Sequence, residues 1–300
     1  MSRALLLWDV DHTLIENGGV SKENYAHAFM LLTGRPAEQQ PQTDGRTDIG
    51  IMERLLQAND VDPALYPWAA QANSLIEAGE HNRTAFASRG YALPGAAAIL
   101  ARLSMMPDVV QSVLTGNIAE NAHIKLAAFG LDKWIDFTVG GFGSESSVRG
   151  ELVRVAQGKA ADKYGVDPAQ DVTVVVGDTP LDVEAGLVGG ARVIGVATGL
   201  FPAESLQEAG AHATLAGLAD GEAFVSALSH VRSLDPGTPR YPRKNWASGL
   251  SSYSDVSQWR VAEESADGLW ESLQTLPGAG GESEQLRRPF GYWHGRSGRS

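Results

Sequence analysis

Ala4-Leu5-Leu6-Leu7-Trp8-Asp9-Val10-Asp11-His12-Thr13 begins with a nearly continuous apolar run, Ala4 to Val10, and ends in acids and a threonine. A run this short and this apolar reads as a strand buried on both faces of a parallel sheet, with polar groups at its C-terminal end. Asp9 and Asp11 are two residues apart, and in extended backbone that spacing aims both carboxylates the same way. The C-terminal edge of a parallel sheet is where open α/β folds bind ligands. Taken alone, acids after a strand serve equally well to cap a helix or make a turn.

Working outward, similar apolar runs recur at Val109 to Leu114, Phe137 to Val139, Val172 to Val176 and Arg192 to Val196. Between them, helical spacing covers roughly Gly95 to Leu103, Ala119 to Phe129, Glu151 to Tyr164 and Leu181 to Val188, with Gly130, Gly165 and Gly189 at expected helix stops. Strand and helix alternating in this way predict an α/β, Rossmann-like parallel sheet with right-handed crossovers. About ninety residues separate the first two strands, far more than one crossover needs. Within them Tyr25 to Leu32, Asp48 to Gln57 and Ala64 to Ile76 carry apolar residues at steps of three and four, which predicts an inserted α-helical cap. The expected division is a core of residues 1–17 and 90–230, a helical cap at 18–89, and a tail at 231–300. The tail opens on the breaker Asp235-Pro236-Gly237-Thr238-Pro239 and reads as disordered, although 256–276 has the spacing of a docking helix.

The formal net charge is -12, and residues 231–300 hold 9 Lys+Arg against 8 Asp+Glu, so nearly all of the negative charge lies on the folded part. Such a surface repels polyanions, which argues against nucleic acid as a partner. An anionic small molecule stays compatible, because a metal ion and one or two placed cations dominate locally. With Cys 0, disulfides, thiolate metal sites and thiol nucleophiles are excluded. The apolar stretch Ala4 to Trp8 is halted by Asp9 too early for a signal core or a membrane span, so a cytoplasmic protein with no membrane partner is expected.

Two further strand ends carry polar residues. Val113-Leu114-Thr115-Gly116-Asn117 offers a hydroxyl and backbone N–H groups at a helix start, suited to phosphate oxygens or simply to an N-cap and turn. Val176-Gly177-Asp178-Thr179-Pro180-Leu181-Asp182 delivers one acid at a strand end and another a helical turn later, with Pro180 at the start of the helix. Together the three segments would gather Asp9, Asp11, Thr115, Asp178 and Asp182 in one crevice. Four buried carboxylates repel one another and need a cation, and Mg²⁺ matches oxygen ligands and phosphate chemistry.

These segments resemble the haloacid dehalogenase superfamily, whose pattern is D-x-D-x-T, a strand-end Ser or Thr, a Lys or Arg, and G-D-x-x-x-D. The resemblance spans about residues 1–230. It implies a magnesium-dependent phosphatase acting on a small phosphorylated metabolite. By that resemblance Asp9 is the nucleophile that becomes an aspartyl-phosphate, and Asp11 protonates the leaving oxygen and then activates water. Asp9, Asp178 and the Asp11 carbonyl would ligate Mg²⁺, with Asp182 ordering its water or ligating directly. Thr115 with the Gly116 and Asn117 amides would bind the phosphoryl group. For the cation, Arg149 before the helix near Glu151 is favoured by position over mid-helix Lys159. Asp44-Gly45-Arg46-Thr47-Asp48 resembles the G-x-T-D segment of phosphoglycolate-phosphatase-like members, where Arg46 would meet a substrate anion; a Thr47 or Asp48 helix cap with Arg46 in solvent is the plainer reading. His12 stands where the family often has Gly, as a tolerated loop residue or a substrate contact.

Asp11 argues against a hydrolytic dehalogenase, which does not need a second acid, and against a phosphonate hydrolase, whose type lacks it. A sugar-phosphate mutase keeps both acids and is the alternative enzyme. Outside catalysis, a phospho-accepting receiver or a binding module on a retired scaffold would use the same residues. The long helical insertion disfavours the first, and intact Asp9, Asp11 and Asp178 disfavour the second.

Overall fold

The computed structural model describes residues 3–234, apart from 42, 44, 45, 168 and 169. The expected tail begins too early, since residues 231–233 are still helical and Val231 is buried in the core; residues 235–300 with the 256–276 helix, like Asp44 and Gly45, lie outside the described residues. The chain begins with β1 (Ala4–Trp8) and the short β2 (Ile15–Glu16), followed by helices α1 (Val20–Thr33), α2 (Asp48–Ala58), α3 (Trp68–His81) and α4 (Arg83–Arg89). It continues through β3 (Tyr91–Ala92), α5 (Ala96–Ser104), β4 (Val109–Thr115), α6 (Ala119–Ala127) and β5 (Gly141–Phe142). The described part ends with α7 (Arg149–Tyr164), β6 (Val172–Gly177), α8 (Pro180–Val188), β7 (Arg192–Val196), α9 (Ala203–Glu208), β8 (Ala213–Leu215) and α10 (Gly221–Ser233).

Six parallel strands form one sheet in the order β5-β4-β1-β6-β7-β8. β1 is central because every residue in it is apolar and fully buried, so both faces can be covered. Leu6 and Trp8 pack on one side with Ile99 and Leu103 of α5 and Phe224 of α10, where Trp8 stacks on Phe224 at 5.2 Å. Leu5 and Leu7 pack on the other with Leu152 and Val153 of α7 and Val183 of α8. Trp8 is in register with Val113 of β4 and Val176 of β6. The residues that follow those positions therefore emerge side by side at one sheet edge, between strands whose connections leave in opposite directions.

The expected strand at 137–139 is instead a 3-10 turn. The Asp136 carboxylate accepts the Thr138 N–H at 3.0 Å and caps that turn, and the chain joins the sheet only afterwards, where β5 pairs with Leu114 and Thr115. Three residues, of which only Phe137 and Val139 are apolar, cannot distinguish a strand from a partly buried turn. Unforeseen elements are β8, the antiparallel pair β2 and β3, and helices α4, α9 and α10.

Helices α1 to α4 lie between β2 and β3; Phe86 of α4 packs with Val20 and Ile124, and α1 to α3 share an apolar cluster built on Tyr25, Phe29, Met52, Leu55 and Leu75. Ile118, from the loop after β4, is part of that cluster. A second attachment is polar. The Asp48 N–H donates to Gly116 O at 2.7 Å, and the Asp48 carboxylate accepts from Tyr25 Oη at 2.5 Å and Ile118 N at 2.8 Å. Gly116 permits this approach, since a Cβ there would stand 2.0 Å from Arg46 O. Among the described residues no helix is long and apolar enough to cross a membrane.

Candidate active site

Asp9 follows β1, Thr115 ends β4 and Asp178 follows β6, so the register alone brings the three together. Asp9 is fixed by its N–H donating to Val176 O at 2.8 Å. Asp178 accepts from Thr13 Oγ1 at 3.0 Å. Asp182, in the first turn of α8, closes a capping box in which Oδ2 accepts from Thr179 N at 3.0 Å and Thr179 Oγ1 accepts from Asp182 N at 3.2 Å. Its other oxygen, Oδ1, is left for the site. The cap reading and the site reading of this residue thus both hold, one on each oxygen.

Asp9, Asp178 and Asp182 are all buried, and one carboxylate oxygen from each lies within 4.8 Å of the others. Burial, then repulsion from Asp182, pushes Asp9 well above the usual carboxylate range, and Arg149 opposes the shift. Burial and Asp182 likewise push Asp178 up to about 7. Asp9 and Asp178, clustered with Asp182 and pushed toward their protonated forms, mark negative charge that a cation would relieve. The donor set is all oxygen, which fits Mg²⁺. The Asp11 carboxylate does not join this cluster, which leaves its main-chain carbonyl as the ligand expected from that residue.

Arg149, the first residue of α7, reaches the cluster as its position suggested. Its Nη2 donates to Asp9 Oδ1 at 3.2 Å and to Asp182 Oδ1 at 2.5 Å. Lys159 instead faces elsewhere, donating to Gly140 O at 2.8 Å and pairing with Glu145 at 2.6 Å.

Asp11 turns to the opposite wall. Burial alone would raise it, but the Lys125 charge and hydrogen bonds from Lys125, Asn117 and Asn17 outweigh burial and hold it down to about 2. The distances are 2.6 Å from Lys125 Nζ, 3.1 Å from Asn117 Nδ2 and 2.8 Å from Asn17 Nδ2. Asn117 also donates to Thr115 Oγ1 at 2.7 Å, so it links two of the predicted phosphate-binding residues to Asp11. Lys125 was not foreseen. A signal existed: on α6 it is three residues after Ala122 and one before Leu126, both fully buried, so its helical position is inward-facing.

The cavity above these groups has a volume of ≈ 90 Å³ and is lined by Asp9, Asp11, Thr115, Gly116, Asn117, Arg149, Asp178 and Asp182, every core residue expected of the site. Arg46, Ser21 and Tyr25 line it from the helical insertion, with Leu200 and Phe201 after β7. Thr47 is the N-cap of α2, accepting from Gly50 N at 3.4 Å, which satisfies the plainer reading of that segment while Arg46 still borders the cavity. His12 adopts φ 60°, in the left-handed region that favours glycine. Its Nδ1 lies 2.9 Å from Glu16 Oε2 and its carbonyl accepts from Thr198 Oγ1 at 2.6 Å.

A parallel α/β sheet presenting acids, a strand-end hydroxyl and a buried guanidinium at one edge defines a phosphoryl-handling class of site. Residues 6–186 match the haloacid dehalogenase-like hydrolase family, and the chain belongs to it. Three solved structures share the fold. A hydrolase from Pseudomonas syringae is 19% identical with a TM-score of 0.54, covering 78% of this chain and 100% of that one. CbbY from Rhodobacter sphaeroides in complex with phosphate is 19% identical with a TM-score of 0.54, covering 73% and 96%. A predicted phosphatase from Clostridium acetobutylicum is 15% identical with a TM-score of 0.52, covering 75% and 100%. No curated protein matches the chain.

Proposed function

We propose that the protein is a Mg²⁺-dependent phosphatase of the phosphoglycolate-phosphatase-like kind, hydrolysing a small phosphorylated metabolite through a phosphorylated Asp9. The observation that carries this reading is the convergence of Asp9, Asp178 and Asp182 within 4.8 Å, with Arg149 on Asp9. Asp9, Asp178 and Asp182, with the Asp11 carbonyl, would hold the ion, which supplies positive charge against the carboxylates and the phosphoryl oxygens.

Asp9 attacks phosphorus with a carboxylate oxygen, forming an acyl-phosphate bond as the ester P–O bond breaks. Thr115 Oγ1, the Gly116 and Asn117 N–H groups and the Arg149 guanidinium surround the transferring oxygens, and Arg149 also holds Asp9 in place. Asp11 gives a proton to the leaving oxygen and later takes one from the water that hydrolyses the aspartyl-phosphate. Asp11 starts as the carboxylate, so the proton for the first half enters with the substrate monoanion, whose last ionisation falls near pH ~6. The helical insertion acts as a cap, and Arg46 borders the cavity where a second anionic group of the substrate would lie.

A panel of phosphorylated metabolites, assayed for released phosphate with and without Mg²⁺, tests the proposal. Catalytic phosphate release that requires Mg²⁺ is expected. Isomerisation of a sugar phosphate without net release would instead favour the mutase alternative, and a single slowly lost phosphate per chain would favour a receiver.

A further inference from the structure

α6 buries one charged side chain that the catalytic steps above do not use. Lys125 is 2% exposed, and its ammonium lies 6.0 Å from the centre of the Phe86 ring. An ammonium buried there costs several kcal/mol unless it is well paired, a cost that a leucine at the same position would avoid. Its hydrogen-bond acceptors are both site residues: Nζ donates to Asp11 Oδ2 at 2.6 Å and to Asn117 Oδ1 at 2.7 Å. Asn117 in turn donates to Asp11 Oδ2 at 3.1 Å and to Thr115 Oγ1 at 2.7 Å. Asn117 thus ties the group handling the proton to the strand-end hydroxyl handling the phosphoryl oxygens, and Lys125 braces that tie by holding both Asp11 and Asn117.

We infer that Lys125 is a positioning residue: acting through Asp11 and Asn117, it sets where Asp11 delivers its proton relative to the phosphoryl cradle. This rests on Asp11 being the leaving-group acid. Lys125 touches neither phosphorus nor the leaving oxygen. Without it, Asp11 is still held by Asn17 at 2.8 Å and by Asn117, but Asn117 loses the donor that orients its own carbonyl. A displacement of roughly 1 Å at such a group can cost ~10²-fold in rate.

The test uses the full chain with Mg²⁺ and follows first-turnover release of the phenol from phenyl phosphate and from p-nitrophenyl phosphate. Phenolate needs a proton to leave; nitrophenolate hardly does. Lys125→Met is expected to slow the phenyl ester about 100-fold and the nitrophenyl ester less than about 5-fold. Lys125→Arg, which keeps the charge and the donors, should recover about 10-fold of that loss. Asp11→Asn should show the same selectivity between esters. Equal slowing of both esters by Lys125→Met, or none, while Asp11→Asn discriminates, overturns the role of Lys125 alone. Equal slowing by Asp11→Asn overturns the acid assignment beneath it. Should Lys125→Met not fold, Asp11→Asn and the double variant Asp11→Asn/Lys125→Met, which leaves no unpaired charge, should match within about 3-fold, and a larger further loss contradicts the inference.

Discussion

Asp9 and Asp11 leave the same strand two residues apart and enter opposite surroundings. Asp9 joins Asp178 and Asp182, where burial and like charge push carboxyls up and one guanidinium is shared between Asp9 and Asp182. Asp11 faces a buried lysine and two amides, which hold it at about 2. The first wall is short of positive charge and the second is supplied with it. Under the proposed function a metal ion would sit on the first wall and proton handling on the second, although a single loop supplies both acids.

The sharpest break of this contrast is Asp9→Asn. Aryl-phosphate hydrolysis with Mg²⁺ should fall by roughly 10³-fold or more, because the nucleophile is lost. The metal-free melting temperature should stay level or rise, because one repelling charge is gone from a strained cluster. Activity near that of the parent would remove Asp9 from its role.

Next in size, Asp178→Asn should raise the Mg²⁺ concentration for half-maximal rate by about 100-fold, read from a metal titration. Arg149→Lys should cost about 10- to 100-fold in kcat/KM, since a single ammonium cannot span Asp9, Asp182 and a phosphoryl oxygen as a guanidinium can.

The contrast also predicts a pH dependence. Asp48, pushed up to about 6 chiefly by burial, and Asp178, at about 7, bind their protons more tightly in the folded chain than in the unfolded one. Their stabilising contribution is complete below about pH 4 and drains away as pH rises through 6 and 7, on the order of 3 kcal/mol for Asp48. Asp11 has the opposite sign: its contribution is present above about pH 4 and is lost as pH falls toward 2. Metal-free protein should therefore melt at progressively lower temperature from pH 5 to pH 8, and saturating Mg²⁺ should flatten most of the Asp178 part of that decline. A metal-free melting temperature that rises over this range would show the acidic wall to be already neutralised.

The smallest effect is expected from Lys159→Met, within about 2-fold of the parent activity, because its ammonium is committed to Gly140 O and Glu145. A large loss there would reopen the choice of phosphate-binding cation.

Most of the sheet was legible because strands buried on both faces are mostly apolar. Ala4–Trp8, Val109–Thr115, Val172–Gly177 and Arg192–Val196 all announce themselves this way. β8 did not, since its three residues are only half-buried and carry no such run. Residues 137–139 misled for the complementary reason: the turn buries Val139 as a strand would. At the site, Asp9, Asp178 and Thr115 were visible as polar residues ending apolar strands, and Arg149 as a cation at a helix start. Lys125 was hidden because a lysine within a helix ordinarily faces water, and only the packing of α6 beside Asp11 reveals the ion pair that keeps it inside.

The central claim is that Asp9 carries the phosphoryl group in transit. Protein quenched in acid during turnover of an aryl phosphate with Mg²⁺, then digested and mass-mapped, should carry one phosphoryl group on the peptide containing Asp9, and Asp9→Asn should carry none. A phosphoryl group on another residue, or steady turnover by Asp9→Asn, would contradict it.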